Sequence, residues 1–600
     1  MKKILLCLCT LTIYTVTLAQ QDARLKNIDA IAEEVLKDWH GAGFAVAVVE
    51  RDKIIYAKGF GYRDVEKKLP VTPNTQFAIG SCTKSFTAAL IGSLNQEGLV
   101  DIDKPVREYL PALKFYNNEM NEQITLRDMM CHRTGLSRYD LSWFMFNSAS
   151  KDSLLQRIQY HEPSAPLRTR WQYNNWMFLA QGVVAEKVTG KSWEDNIEER
   201  FFRKLDMNNS NLTIDGLKKN PEPAIGYFVE NDSAIKKIDY FNINAMAPAG
   251  SINSSVNDMA NWVITWIMGG KFKGKEVLNA NYIKEAVSAQ MSMGGGAPAP
   301  MDMSDIHSNA YGFGWMLTSY RGHYQVEHGG NINGFTASAC FYPTDNIGII
   351  ILSNQNASIM PTIMRNKISD KLLGLKDINW NKYYLDKTKK PKMPKDTAAK
   401  EAEVVKGADI SRPAEDFTGY YENKGYGKFE IVAKGDSLFA QIPDGSTWYL
   451  KHYCYDIYDP APIDKEKGVS KDTYPWRFTF RTDENGKIAQ VSVPMESPVK
   501  PTVFTRTEKG LALKADDLKK YEGDYVLMGV ISKIYRKGGE QLFLTVPGQP
   551  EYTLIPSGKD KFSIKGLAGF NLQFTLDDKQ EVTELTFLQP NGKFKATKKK

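Results

Sequence analysis

The sequence predicts an α/β (α+β) chain: an antiparallel sheet with flanking helices, followed by two small all-β, barrel-like domains. Three observations carry that expectation. Helical and strand patterns alternate from about Ala23 to about Leu373. A lysine- and proline-rich stretch then interrupts the chain. Beyond it, only short aromatic strands and turns remain, and they repeat. A length of 600 residues exceeds what one core holds, so several domains are required.

In the first block, Phe44–Val49 and Lys53–Lys58 are apolar, β-branched runs around a polar turn at Arg51-Asp52, the pattern of a hairpin. Ser81–Gln96 has helical periodicity, with Phe86, Leu90, Ile91 and Leu94 on one side and Gly98 as its stop. Trp176–Val188 reads as a second helix, ended by Gly190. Tyr311–Leu317, Tyr324–Val326, Phe335–Tyr342 and Ile347–Leu352 read as strands joined by short connections.

The linker follows, with Lys389-Lys390-Pro391-Lys392 and Pro394-Lys395 favouring an extended, hydrated segment. The repeat comes next. Phe417-Thr418-Gly419-Tyr420-Tyr421 is echoed by Tyr521-Glu522-Gly523-Asp524-Tyr525. Ser437-Leu438-Phe439-Ala440 is echoed by Gln541-Leu542-Phe543-Leu544, and Arg477–Phe480 more loosely by Leu572–Thr575. The expected boundaries are 1–19 for a signal peptide, 20–378 for the α/β block, 379–412 for the linker, and 413–507 and 508–600 for the β domains.

The N-terminus has the make-up of an export signal. Lys2 and Lys3 precede an apolar run to Leu18, and Thr17-Leu18-Ala19 supplies a small-residue cleavage site, so a secreted or periplasmic protein is expected. Cys7 and Cys9 lie inside the run, away from the position of a lipidated cysteine, and no later segment is long enough to be a transmembrane span. Removing Lys2 and Lys3 lowers the formal charge from +7 to +5, much of it in the tail lysines, which gives no nucleic-acid signature. The remaining cysteines, Cys82, Cys131, Cys340 and Cys454, are spaced neither as a disulfide framework nor as a zinc site. The 7 histidines are scattered without His-x-x-x-His, so neither metal nor cofactor is expected.

Three elements point to chemistry. In Gly80-Ser81-Cys82-Thr83-Lys84, residues three apart share a helix face, about 5–6 Å apart at Cβ, so Lys84 can reach the Ser81 hydroxyl and activate it. Taken alone, the motif reads better as a capping serine with a surface lysine. Tyr173-Asn174-Asn175 precedes a helix: a phenol beside an ammonium is expected to have its pKa lowered and to act as base, then acid. Asn175 could orient Lys84 and bind a substrate carbonyl; the plain alternative is a packed tyrosine and an asparagine cap. In His328-Gly329-Gly330-Asn331, glycines let a substrate backbone approach, and the Ser81 and Asn331 amides can pair as an oxyanion hole. The alternative there is a glycine turn with an incidental histidine.

In this order the three elements resemble the superfamily of serine β-lactamases, D-alanyl-D-alanine carboxypeptidases, D-aminopeptidases and related esterases. The resemblance extends over Thr75–Ser81, Gly98–Val106, His132-Arg133-Thr134-Gly135-Leu136, Pro248–Ser251, Asp258–Ala260 and Ile351–Asn354. It implies a β-lactamase/penicillin-binding-protein-like fold and an acyl-enzyme formed at Ser81. Lys84 would be the activating lysine, Tyr173 the general base, and Asn175, His328, Gly330 and Asn331 the substrate-binding residues. Whether Lys84 or Tyr173 takes the serine proton stays open at this point. The His132–Leu136 segment is expected to be a helix end capped by Gly135. The third motif departs from the Lys-Thr-Gly of β-lactamases, and its histidine is more similar to D-aminopeptidases and some carboxypeptidases. It weakens the expectation of a permanent cation, since histidine is largely neutral at pH 7.

The expected substrate is therefore a small peptide, with D-residues as in cell-wall fragments, or a small acyl compound, with β-lactams as acylating ligands. An esterase, amidase or β-lactamase is the alternative within this superfamily. A penicillin-binding sensor with accessory β modules is the alternative of another class, and the β domains could make oligomer contacts.

Overall fold

The computed structural model describes residues 22–599 except 231–232, 295–305, 390–407, 465–467, 498, 508–514, 538–540, 559, 565–569 and 590–591. The expected signal peptide at 1–19 lies outside the described residues. The described chain forms two units: one of residues up to 389 together with Glu496–Lys500, the other of the remaining C-terminal residues.

The first unit is built on a nine-stranded antiparallel sheet. Its strands are β1 (Gly43–Glu50), β2 (Lys53–Asp64), β3 (Leu69–Pro70), β4 (Met291–Ser292), β5 (Ile306–Tyr311), β6 (Met316–Tyr320), β7 (His323–Ile332), β8 (Phe335–Tyr342) and β9 (Ile347–Ser353), in the order β4-β5-β6-β7-β8-β9-β1-β2-β3. The hairpin expected around Arg51-Asp52 is β1–β2, with Arg51 in the left-handed region at φ 54°. Strands β1, β8 and β9 are buried almost throughout. Both faces of the sheet are covered, which is why these strands read as continuous apolar runs and not as an alternation.

On one face, Phe44, Val46 and Val48 pack with Ile349 and Ile351 against α1 (Ile28–Asp38) and α7 (Met360–Leu372). The other face meets α6 (Val256–Ile267), while α2 (Thr83–Gln96) packs with α5 (Asn175–Thr189). A methyl added to Gly348 on that face would lie 2.4 Å from Val263 Cγ1, so only glycine lets α6 sit so close. Burial of α2 extends beyond the expected stripe: Lys84, Ser85, Thr87, Ala88 and Ala89 are enclosed along with Phe86, Leu90, Ile91 and Leu94. Its end at Gly98 (φ 73°) and that of α5 at Gly190 (φ 70°) are left-handed stops, as the sequence indicated.

Several local expectations are corrected. Tyr311–Leu317 is not one strand: β5 ends at Tyr311, a turn through Gly312–Trp315 reverses the chain, and β6 begins at Met316. Gly314, at φ 71°, makes that turn possible. The short helix α3 (Leu126–Met130) is closed not by Gly135 but by His132, itself left-handed at φ 58°. Gly135 serves a separate close approach, where a methyl would stand 2.3 Å from Ala165 O. The segment expected as linker from 379 instead opens with a helix, α8 (Trp380–Lys389). Buried Trp380 donates its indole N–H to Asp370 Oδ2 (2.8 Å), and Asn381 accepts from Trp39 Nε1 (2.8 Å), tying the helix to α7 and α1. The lysine–proline stretch itself falls mainly in 390–407, outside the described residues.

The second unit contains two eight-stranded barrels. One runs from Gly419–Asn423 to Thr502–Thr507, closed by pairing of Thr447–Cys454 with Ile457–Asp464, and the other from Gly523–Leu527 to Gly592–Lys598. The sequence repeat has a physical basis. Tyr421 and Tyr525 each donate a hydroxyl hydrogen bond four residues back, to Phe417 O (2.7 Å) and Tyr521 O (2.8 Å). Gly419 (φ 133°) and Gly523 (φ 146°) open the first strand of each barrel in the same glycine-favouring conformation.

Candidate active site

Ser81 stands in a 3-10 turn, Gly80–Cys82, that feeds directly into α2. Gly80 has φ 50°, and a methyl there would lie 2.9 Å from Asn331 N. From the other side, a methyl on Gly330 would lie 1.9 Å from Ile79 O and 3.2 Å from Ser81 N. The two glycines let the serine turn and β7 touch backbone to backbone, with Ser81 N and Asn331 N both at the contact. The third motif is accordingly not a turn: His328–Asn331 lies within β7, paired with Thr336–Ala339 of β8. Pairing of β7 with β6 ends at Met316–Glu327, so the strand runs on past its neighbour along the cleft.

One helical turn after Ser81, the Lys84 side chain is fully buried. Its Nζ lies 3.1 Å from Ser81 Oγ, 2.7 Å from Asn175 Oδ1 and 2.7 Å from Ala249 O. The two carbonyl oxygens can only accept, so two N–H groups are committed to them. Burial drives the ammonium well below the usual lysine range, with Asp140 opposing and Arg138 adding to the fall. In the neutral amine, the remaining position at Nζ is a lone pair facing the serine hydroxyl. The arrangement can take a proton from Ser81.

Tyr173 is hydrogen-bonded to Ser81, and Lys84 Nζ and Arg138 Cζ each lie 4.8 Å from its ring centroid. The expected lowering of this phenol does not occur. Burial raises it, outweighing the Ser81 hydrogen bond and Arg138, and the ammonium that was to lower it is itself suppressed. A protonated Tyr173 is suited to pass a proton to a departing group. Its backbone is held on both sides by His132: Asn174 N donates to His132 Nδ1 (3.1 Å), and Gln172 N to His132 O (2.8 Å). Asn174, not Asn175, caps α5, its side chain accepting from Met177 N at 3.1 Å.

His328 is buried, with Nδ1 2.7 Å from Gly329 O and Nε2 2.8 Å from Tyr311 Oη. A carbonyl accepts, so Nδ1 carries the proton and Nε2 accepts from the tyrosine. Burial first, then Lys84, lower its pKa to about 3. Both nitrogens are thereby spent inside the protein. Where a substrate-binding side chain was expected, His328 holds the strand and Tyr311 in place. Cys82 places its Sγ 3.1 Å from His328 O and is buried. Cys131, Cys340 and Cys454 are also buried free thiols.

Two residues not singled out from sequence complete the network. Asp140, on α4 (Asp140–Phe144), accepts from Asn175 Nδ2 (2.8 Å), Trp143 Nε1 (2.9 Å) and Arg138 Nε (2.7 Å). It thus orients the amide whose oxygen holds Lys84. Arg138 and Asp140 share a loop braced by Glu496, in the segment grouped with this unit, which accepts from Ser137 Oγ (2.6 Å) and Tyr139 N (3.0 Å). Proximity in the sequence to His132–Leu136 was the only available signal for this loop. Among the described residues, no group of three or more His, Cys, Asp or Glu side chains could hold a metal, and no helix is long and apolar enough to cross a membrane.

Comparison with known proteins gives the following. The family model described as Beta-lactamase matches residues 28–372, and one described as a domain of unknown function, DUF3471, matches residues 404–510. The chain is 26% identical over 441 residues to the unguisins hydrolase ungD' of Aspergillus campestris, covering 70% of this chain and 80% of that protein. It is 25% identical over 349 residues to the protein flp of Staphylococcus aureus, covering 57% of this chain and 65% of that protein. The octameric penicillin-binding protein homologue from Pyrococcus abyssi superimposes with a TM-score of 0.52 at 21% identity, covering 80% of this chain and 99% of that one, which shows the shared fold.

Proposed function

The chain belongs to the beta-lactamase family of serine hydrolases, and from that premise we propose that it is an exported peptidase or amidase forming an acyl-enzyme at Ser81. Its substrates on this reading are short peptides, including ones with D-residues. The observation that carries the reading is the Lys84 amine, with two hydrogens committed to Asn175 and Ala249 and its third position 3.1 Å from Ser81 Oγ.

Lys84 accepts the Ser81 proton as Oγ attacks the substrate carbonyl. The oxyanion forms beside the Ser81 and Asn331 amides. As the tetrahedral intermediate collapses, the bond to the leaving group breaks and Tyr173 supplies that group's proton, regaining one from Lys84. Water then attacks the ester with the same groups in reverse and frees the acid. A peptide is favoured over a compact acyl compound because β7 continues past the end of β6, so an extended backbone can lie along its edge. β-Lactams would acylate the same serine. The basic and apolar N-terminus supports export.

The test is release of free D-alanine from a peptide ending in D-Ala-D-Ala and of D-alaninamide from its C-terminal amide, together with labelling by a fluorescent penicillin. Every signal must vanish in Ser81→Ala. Turnover that persists in that variant refutes the assignment of the nucleophile, and labelling without any peptide cleavage refutes the peptidase reading.

A further inference from the structure

The cleft at Ser81, about 790 Å³, has one aromatic wall. Trp143 and Phe144 come from α4 and Phe241 from the loop before Asn244–Met246, and all three are half-buried. The Phe144 and Phe241 rings stack with centroids 4.6 Å apart, while Trp143 meets them edge-on at 5.9 and 6.0 Å. Ile243 carries this wall up to the nucleophile: a methyl on Gly250 would lie 3.1 Å from Ile243 Cδ1 and 3.6 Å from the Gly80 carbonyl carbon. Rings left open in a cleft beside a reactive serine are positioned to be covered by a ligand.

The charged groups lining the same cleft balance. Arg138 pairs with Asp140 at 2.6 Å, and Arg365 pairs with Glu327, which also accepts from Ser338 Oγ at 2.8 Å. Lys84 is buried and driven towards neutrality, and both nitrogens of His328 are occupied. Each guanidinium in the lining thus already has a carboxylate, so neither offers an unneutralised cation to a substrate's free carboxylate.

We propose that Trp143, Phe144 and Phe241 form a subsite for an aromatic side chain on the acyl part of a substrate that carries no free carboxylate at its leaving end. This rests on the acyl-enzyme reading of Ser81. The acyl group becomes bonded to Ser81 in the first step and is freed by water in the second, so it sits beside Gly80, where Ile243 begins the wall, while the leaving group draws its proton from Tyr173.

The experiment compares methyl esters of N-acetylphenylalanine and N-acetylalanine, each as D and L isomers. Both are uncharged, and methanol is too small to occupy the wall. In the wild-type enzyme the better phenylalanine isomer is expected to exceed its alanine counterpart by about ten- to a hundredfold in kcat/KM, the worth of burying one ring. Phe241→Ala should bring that ratio to within about threefold of unity. Phe144→Leu, which keeps volume and loses the stack, should lower it in part and serves if the alanine variant does not fold. N-Acetylphenylalanyl-alaninamide should be cleaved at least as fast as the corresponding free acid. A wild-type ratio near one, a ratio unmoved in Phe241→Ala, or a marked preference for the free acid overturns the proposal while leaving the acyl-enzyme intact. Absence of any Ser81-dependent ester turnover removes the premise itself.

Discussion

Replacing Gly330 with alanine tests the contact on which the oxyanion site depends. The added methyl would stand 1.9 Å from Ile79 O, where ordinary contact begins at 3.4 Å, so β7 and the serine turn must separate by 3.4 − 1.9 = 1.5 Å. Oxyanion donors act at about 2.7–3.1 Å, and a misplacement of about 1 Å costs on the order of a hundredfold in rate. We expect kcat for a p-nitrophenyl ester to fall about a hundredfold or more, with a smaller change in KM. The strain should cost about 1–3 kcal/mol of stability, read by thermal or denaturant unfolding. The neighbouring glycine is the control for stability. At Gly329 a methyl meets only Ala337 O at 3.7 Å, so Gly329→Ala should be neutral or stabilising by up to about 1 kcal/mol. A folded Gly330→Ala enzyme whose kcat stays within about threefold of wild type would refute the pairing of the Ser81 and Asn331 amides as the oxyanion hole.

Two further outcomes concern charge. Because Asp140 raises the pKa of Lys84 while burial lowers it, Asp140→Asn should move the acid limb of kcat/KM to lower pH and reduce the plateau about ten- to a hundredfold by disorienting Asn175; an unmoved limb would argue against Lys84 as the proton acceptor. The folded-state pKa of His328, about 3, lies below its unfolded value of 6.5, so the unfolded chain binds more protons between them. Stability is therefore complete above about pH 6.5 and declines as the pH falls towards 3, by up to about 5 kcal/mol at order of magnitude. His328→Asn should flatten that decline in unfolding curves taken across the window, and an equally steep decline in the variant would show that other groups cause it.

Residues i and i+3 of one turn are neighbours whatever surrounds them, so the Ser81–Lys84 pairing was legible in the chain itself. So were the helix ends at Gly98 and Gly190, the strands that are apolar from end to end, and the doubled Phe/Tyr-x-Gly-x-Tyr opening of the barrels. These features rest on local backbone geometry or on side-chain period, and a sequence states both directly. The protonation states were not legible. A tyrosine beside a lysine suggests a phenolate, but enclosure by α2, α5 and Ala249 suppresses the ammonium and raises the phenol, and burial is a property of the packed whole. The histidine of the third motif suggested a ligand contact, and only the approach of Tyr311 from β5 shows its ring fully committed. Arg138 and Asp140 carry no spacing that distinguishes them from any exposed ion pair, and they gain their place because α4 packs beside the start of α5. Sequence determined which groups are close along the chain; the tertiary structure decided which of them hold a charge, because desolvation depends on everything that surrounds them.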